Sequence, residues 1–116
     1  MGKINSKAKG KANELKAVNI LKENGIEARR SQQFCGRNPD ASDILTPEFP
    51  SLYWEIKGVE SLSVQTTMER AREDCASKDP VLIWFKNRKK PLAIIEFDHL
   101  IRLLKDNKRL NGLING

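Results

Sequence analysis

The sequence predicts a mixed α/β domain: a single mixed central β-sheet flanked by helices. Three observations carry the prediction. Apolar residues recur at three- and four-residue spacing over residues 12–24 and again over residues 64–76. Short β-branched and aromatic runs stand at residues 52–57, 80–85 and 92–97. The two kinds of segment interleave along the chain in the order α, β, β, β, α, β, β, α.

Each element has its own signal. Residues 1–11 carry Lys, Gly, Ser and Asn, and are read as a flexible basic arm; residues 12–116 form one domain. In the first helix Leu15, Val18, Ile20 and Leu21 supply the apolar spacing, and Asn24-Gly25 stops it. A short strand follows at residues 26–29. Gly36, Asn38 and Pro39 mark a loop over residues 31–42. Ile44 and Leu45 form a short apolar segment, and Pro47 and Pro50 bracket a turn. Leu52-Tyr53-Trp54-Glu55-Ile56-Lys57 reads as a strand that Gly58 ends. Val64, Met68, Ala71 and Cys75 share one helical face. Residues 80–85 are the most apolar run and a central strand. The basic turn Asn87-Arg88-Lys89-Lys90-Pro91 returns the chain as a hairpin into residues 92–97. Asp98 reads as the N-cap of a final helix over residues 99–106. The tail from residue 107 is weakly specified.

Bulk properties narrow the function. A chain of 116 residues with 39% hydrophobic content builds one core. Lys and Arg total 21 against 15 Asp and Glu, for a net charge of +6 and a pI near 9.5. That balance favours a polyanionic partner. No apolar run approaches the roughly 20 residues of a membrane span, and the N-terminus lacks the apolar stretch of a secretory signal. No membrane partner is expected. Cys35 and Cys75 are too few for a disulfide framework, which implies a reducing, cytoplasmic setting. With His99 the single histidine, a zinc cluster is not expected.

The chemistry concentrates in Asp43-Ile44-Leu45 and Trp54-Glu55-Ile56-Lys57-Gly58. Residues two apart on a strand point to one face, so Glu55 and Lys57 lie side by side. Asp43 stands twelve positions before Glu55, and two short strands joined by a turn bring it alongside. Two carboxylates with an adjacent ammonium suit phosphodiester hydrolysis. Mg²⁺ is held by one or two carboxylates plus water and phosphate. A bound divalent ion lowers the pKa of its water and neutralises phosphate charge. A lysine can orient or deprotonate that water, or stabilise charge on the phosphate. An acid-x-lysine triplet alone is ordinarily a solvated ion pair. Here it sits in an apolar strand, follows an Asp that opens an apolar segment, and belongs to a basic chain.

These residues resemble the PD-(D/E)XK nuclease superfamily. Within it, the chain is similar to the Holliday-junction-resolvase-like and virus-type replication-repair (VRR-NUC) nucleases found in phages, a setting that would place it in the host cytoplasm. The resemblance runs through Lys11-Ala12-Asn13-Glu14-Leu15, then Arg29-Arg30-Ser31-Gln32-Gln33-Phe34-Cys35-Gly36. It continues through Asp40-Ala41-Ser42-Asp43-Ile44 and Trp54-Glu55-Ile56-Lys57-Gly58-Val59-Glu60, to the helix ending near Asp74 and the Pro80-Val81 strand. It implies a restriction-endonuclease-like fold and a metal-dependent endodeoxyribonuclease acting on branched DNA. Asp43, Glu55 and the Ile56 carbonyl would hold Mg²⁺, with Mn²⁺ as a substitute, and Lys57 would act on the nucleophilic water. Glu14 would be a helix acid that reaches the metal directly or through water. Arg30 and Ser31 match a segment that contacts the scissile strand. The Pro-Asp pair of the superfamily name is literally Pro39-Asp40. Asp43 is preferred because it directly precedes the apolar segment, and Asp40 is held in reserve. Gln65 and Arg70 lie near a position where related sequences carry a Gln, and neither receives a role.

The basic residues group as residues 3–16, as Arg29, Arg30 and Arg37, and as Lys86, Arg88, Lys89 and Lys90. Such groups neutralise phosphates without reading sequence. Trp84 and Phe85 are expected in the core, whereas one of Tyr53 and Trp54 is free to face a partner subunit. A homodimer is implied by the family, since a four-way junction needs two symmetric cuts. The competing readings are a flap or nicking nuclease, a non-catalytic basic nucleic-acid-binding module, and an assembly factor that only inherits the fold. The intact Asp43, Glu55 and Lys57 set argues against the last two.

Overall fold

The computed structural model describes residues 6–31 and 42–115. Eight elements follow in the expected order: α1 (Ser6–Glu23), β1 (Arg29–Arg30), β2 (Ile44–Leu45), β3 (Leu52–Lys57), α2 (Val64–Asp74), β4 (Asp79–Trp84), β5 (Leu92–Ile95) and α3 (Phe97–Asn115).

α1 begins at Ser6, so residues 6–11 continue the helix where the sequence suggested an arm. Its end is as expected. Gly25 takes a left-handed φ of 80°, and Ile26 N–H donates back to the Leu21 carbonyl at 2.9 Å. The buried face differs in one respect. Ala17 and Val18 are in the core with Leu21 packed against them, but Leu15 and Ile20 are exposed. Small side chains let the helix sit close to the sheet, and the larger neighbours fall outside the contact.

The sheet is mixed. β3 pairs parallel to β4 from Leu52↔Asp79 to Lys57↔Trp84, with α2 as the crossover between them. β4 pairs antiparallel to β5, from Val81↔Ile95 to Trp84↔Leu92, forming the expected hairpin. Arg88 takes a φ of 60° in its turn. β1 and β2 form a two-stranded antiparallel ribbon beside this sheet. The ribbon joins the β3 edge through Asp43 N–H, which donates to the Trp54 carbonyl at 2.8 Å. Helices flank the sheet, as the patterning predicted.

Period-two alternation on β3 divides the core. Trp54 and Ile56 join Ala17, Val18, Ile44, Val81 and Phe85 on the α1 side. Tyr53 packs with Ala71 and Cys75 of α2 on the other. Both aromatics are therefore interior, and neither is available to a partner subunit. A mixed strand covered by a helix on each face leaves no free side. Trp54 Nε1–H donates to Thr46 Oγ1 at 3.1 Å, which satisfies its one polar atom.

α3 is longer than expected. It starts at Phe97, one residue ahead of Asp98, and runs to Asn115 through the tail that the sequence left unspecified. Asp98 lies in the first turn rather than at the cap, where its charge still complements the helix dipole. The helix is held to the body by Arg102, whose guanidinium donates to both Asp79 carboxylate oxygens at 2.9 and 2.7 Å. Among the described residues no helix is long and apolar enough to cross a membrane.

Candidate active site

The site assembles on the β3 edge that β4 does not use. Asp43 is held there at three points. Its N–H donates to Trp54, its carbonyl accepts Ser31 N–H at 3.1 Å, and its carboxylate accepts Ile56 N–H at 2.8 Å. A residue's N–H and C=O leave a strand on the same edge, so the Ile56 carbonyl opens beside the Asp43 carboxylate. Glu55 and Lys57 share a strand face, as period two dictates, with Lys57 Nζ 3.4 Å from Glu55 Oε1. α1 brings Glu14 toward the same edge. There Glu14 accepts a charge-assisted hydrogen bond from Arg30 Nε at 3.0 Å.

Electrostatics reflect the crowding of these groups. Burial and then the nearby Glu55 carboxylate push the Asp43 carboxyl up from 3.8 to about 6. Glu14 adds to the rise, while the Ile56 N–H and Lys57 oppose it. Below about pH 4 the group is protonated both folded and unfolded, and it costs nothing. As pH rises through 6, the folded chain must hold an unfavourable carboxylate. A rise of this size corresponds to about 3 kcal/mol lost by the metal-free protein between about pH 4 and pH 7. Urea unfolding in a chelator is therefore expected to show Asp43→Asn gaining on the parent protein as pH rises. A difference that stays constant with pH would overturn this.

The donor set fits a hard divalent cation, in a limited form. Among the described residues no three Asp, Glu, His or Cys side chains are gathered closely enough to hold an ion by themselves. What converges is two carboxylates that repel one another, with a main-chain carbonyl between them. That suits an ion such as Mg²⁺, which keeps several waters and takes few protein ligands. Glu14 is engaged with Arg30, which suits a role through water.

Sequence reasoning missed Asn13 and the task of Gly58. A Cβ at Gly58 would stand 2.6 Å from Asn13 Cγ and 2.9 Å from Oδ1. Glycine there leaves room for the Asn13 amide at the end of β3. The signal was present in the glycine after Lys57, but which element approached it was not. Arg37 and Asp40 lie outside the described residues, so the choice between Asp40 and Asp43 rests on Asp43 alone. Gln65 faces a groove shared with Ile94 and Phe97, on the β5 side of α2, and Arg70 is solvent-exposed.

The basic turn is at the same end of the sheet as Lys57, because β3 and β4 run parallel and end together. Two bonds fasten it there. Trp84 Nε1–H donates to the Val59 carbonyl at 2.7 Å, and Asn87 N–H to Glu60 Oε2 at 3.0 Å. Trp84 is thus half-buried and Phe85 buried, near the core role expected of both. Lys86, Arg88, Lys89 and Lys90 are exposed, as is Arg29. Lys16 of α1 sits over the Phe85 ring, 4.9 Å from its centroid. One basic flank therefore runs from the turn to the part of α1 beside the acids.

No protein-family model matches the sequence, and no curated protein sequence does. Among solved structures the chain is similar to Hjc, a Holliday junction resolvase from the archaeal hyperthermophile Archaeoglobus fulgidus. The TM-score is 0.51 at 18% identity, over 73% of this chain and 75% of that one. The two chains share a fold. At this identity the likeness shows the architecture, a mixed sheet flanked by helices, and the chemistry has to be argued from the residues.

Proposed function

We propose that this chain is a divalent-metal-dependent endonuclease of the PD-(D/E)XK type that cuts branched DNA, in the manner of a junction resolvase. The observation that carries the reading is the convergence of Asp43, Glu55 and Lys57 on the open edge of β3, within the fold of a known resolvase. Asp43, Glu55 and the Ile56 carbonyl would hold Mg²⁺ or Mn²⁺. When bound, the ion supplies charge neutralisation at the phosphate and a water of lowered pKa.

The remaining work falls to the chain's own groups. Lys57 holds an ammonium beside the acids, where it can orient the attacking water and offset charge on the phosphate. Glu14 steadies Arg30, and Arg30 with Ser31 lies along the approach to Asp43. Arg29 and the exposed residues Lys86, Arg88, Lys89 and Lys90 bind the DNA backbone as point charges that meet phosphates rather than base edges. Arg37 is assigned to the same surface from the sequence. Paired cuts across a four-way junction call for a symmetric dimer.

The deciding assay offers a mobile four-way junction beside a flap of the same sequence, in Mg²⁺. Paired symmetric nicks confined to the junction are the expected result. Preferential cutting of the flap would select a flap or VRR-NUC-type nuclease instead. Binding of both without cutting would mark a non-catalytic module and overturn the enzyme assignment.

A further inference from the structure

We infer that Trp84 is a stacking platform for an unpaired nucleobase at the branch point of the DNA, one strand away from Lys57.

Sheet register places the indole. Lys57 of β3, Trp84 of β4 and Leu92 of β5 are partners in one row across the sheet. Row partners project from the same face. Trp54, Ile56, Val81 and Ile83 fill the face toward α1. Alternation therefore puts the row on the face toward α2, with Tyr53 and Glu55. α2 covers that face at Tyr53, through Ala71 and Cys75. The row itself is open, at the other end of the strands. The Lys57 side chain is 41% exposed and Leu92 is 53% exposed. Trp84 between them is half-buried. Ile83 and Phe85 on either side of it belong to the core around Trp54, whereas among the described residues Trp84 belongs to neither core cluster.

The surroundings of the ring name its occupant. The one polar atom of the indole is already used, since Nε1–H donates to the Val59 carbonyl. What is left to bind with is the ring face. Lys86 Nζ lies 5.9 Å from the ring centroid, and the exposed Arg88, Lys89 and Lys90 follow in the turn. Adjacent strands are about 4.8 Å apart. Lys57 and Trp84 are thus separated by a step comparable to that from a backbone phosphate to its own base. A phosphate held at Lys57 brings a base to the indole, and the next phosphate to the lysines of the turn. Stacking of a base on an aromatic ring is stronger than an exposed cation–π contact, so an arriving base displaces Lys86 from the ring and frees it for the phosphate. Bases inside a duplex are stacked on their neighbours and cannot use the platform, whereas unpaired bases at a branch can. The platform supplies selectivity for structure without reading base edges. This inference rests on the proposed reading of the chain as a binder of branched DNA.

Binding is measured in a chelator, so that no strand is cut. The probes are a fluorescent three-way branch with two unpaired thymines at its centre, the same branch with abasic residues in their place, and a plain duplex. The parent protein is expected to bind the thymine branch about 10-fold more tightly than the abasic one, within the range for one stacked base. Trp84→Leu is expected to bind both branches alike, at the parent's affinity for the abasic one, with unchanged duplex binding and far-ultraviolet circular dichroism. Trp84→Phe is expected to keep most of the preference, because an aromatic ring remains. A parent protein without the thymine preference, or a Trp84→Leu protein that retains it, would overturn the inference. Cleavage in Mg²⁺ is scored separately. A protein that shows the preference and cuts nothing loses the enzyme reading and keeps the platform, and one that cuts the branch without the preference does the reverse.

Discussion

Asp43→Asn and Lys57→Ala proteins are expected to fold, bind branched DNA and lose cleavage by on the order of 10²- to 10⁴-fold, the range for removing a positioned catalytic group. The two losses have different causes. The Asp43→Asn side chain keeps an oxygen to accept the Ile56 N–H, so the local backbone survives. It gives up the negative charge, and divalent-metal affinity measured by titration calorimetry is expected to fall with it. Folded stability in a chelator moves the opposite way above about pH 6, because the buried charge and its repulsion from Glu55 and Glu14 disappear. An inactive protein that is more stable than its parent is the signature of a site built against stability. Lys57→Ala leaves the acids in place, and metal affinity is expected to hold while cleavage is lost. Unchanged cleavage in either protein would sink the assignment of that residue.

Leu82→Ala is the substitution expected to cost the most stability. Leu82 is fully buried at the centre of β4, between Glu55 of β3 and Ile94 of β5 in the ladder. Partners on both sides prevent the strand from closing over the void. The cost is about 3 kcal/mol, made up of the lost transfer term and the cavity. The thermal midpoint is expected to drop by on the order of 10 °C. Urea unfolding should give a lower midpoint with an unchanged slope. A loss under about 1 kcal/mol, below the usual range for such a truncation, would mean that β4 is not the centre of the core.

Much of this architecture was legible in the sequence, for local reasons. The element order and the β4–β5 hairpin follow from hydrophobic period and turn chemistry, and so does the pairing of Glu55 with Lys57 on one face. The parallel pairing of β3 with β4 was fixed only by the fold. The helix boundaries were harder. α1 and α3 both extend beyond their apolar stripes, into Lys- and Asn-rich segments whose helicity rests on continuation from a packed turn rather than on their own pattern. The expectation for Tyr53 and Trp54 failed because alternation tells which residues share a face, but not whether both faces are covered.

The candidate site divides along the same line. The sequence by itself determined that Asp43, Glu55 and Lys57 belong together, since two short strands and a period of two leave little choice. Only the tertiary structure decided what surrounds them. Glu14 meets Arg30 across sixteen residues, and Asn13 rests on Gly58 across forty-five. Both contacts depend on how α1 crosses β3, and that is set by close packing of Ala17 and Val18 on Trp54 and Ile56.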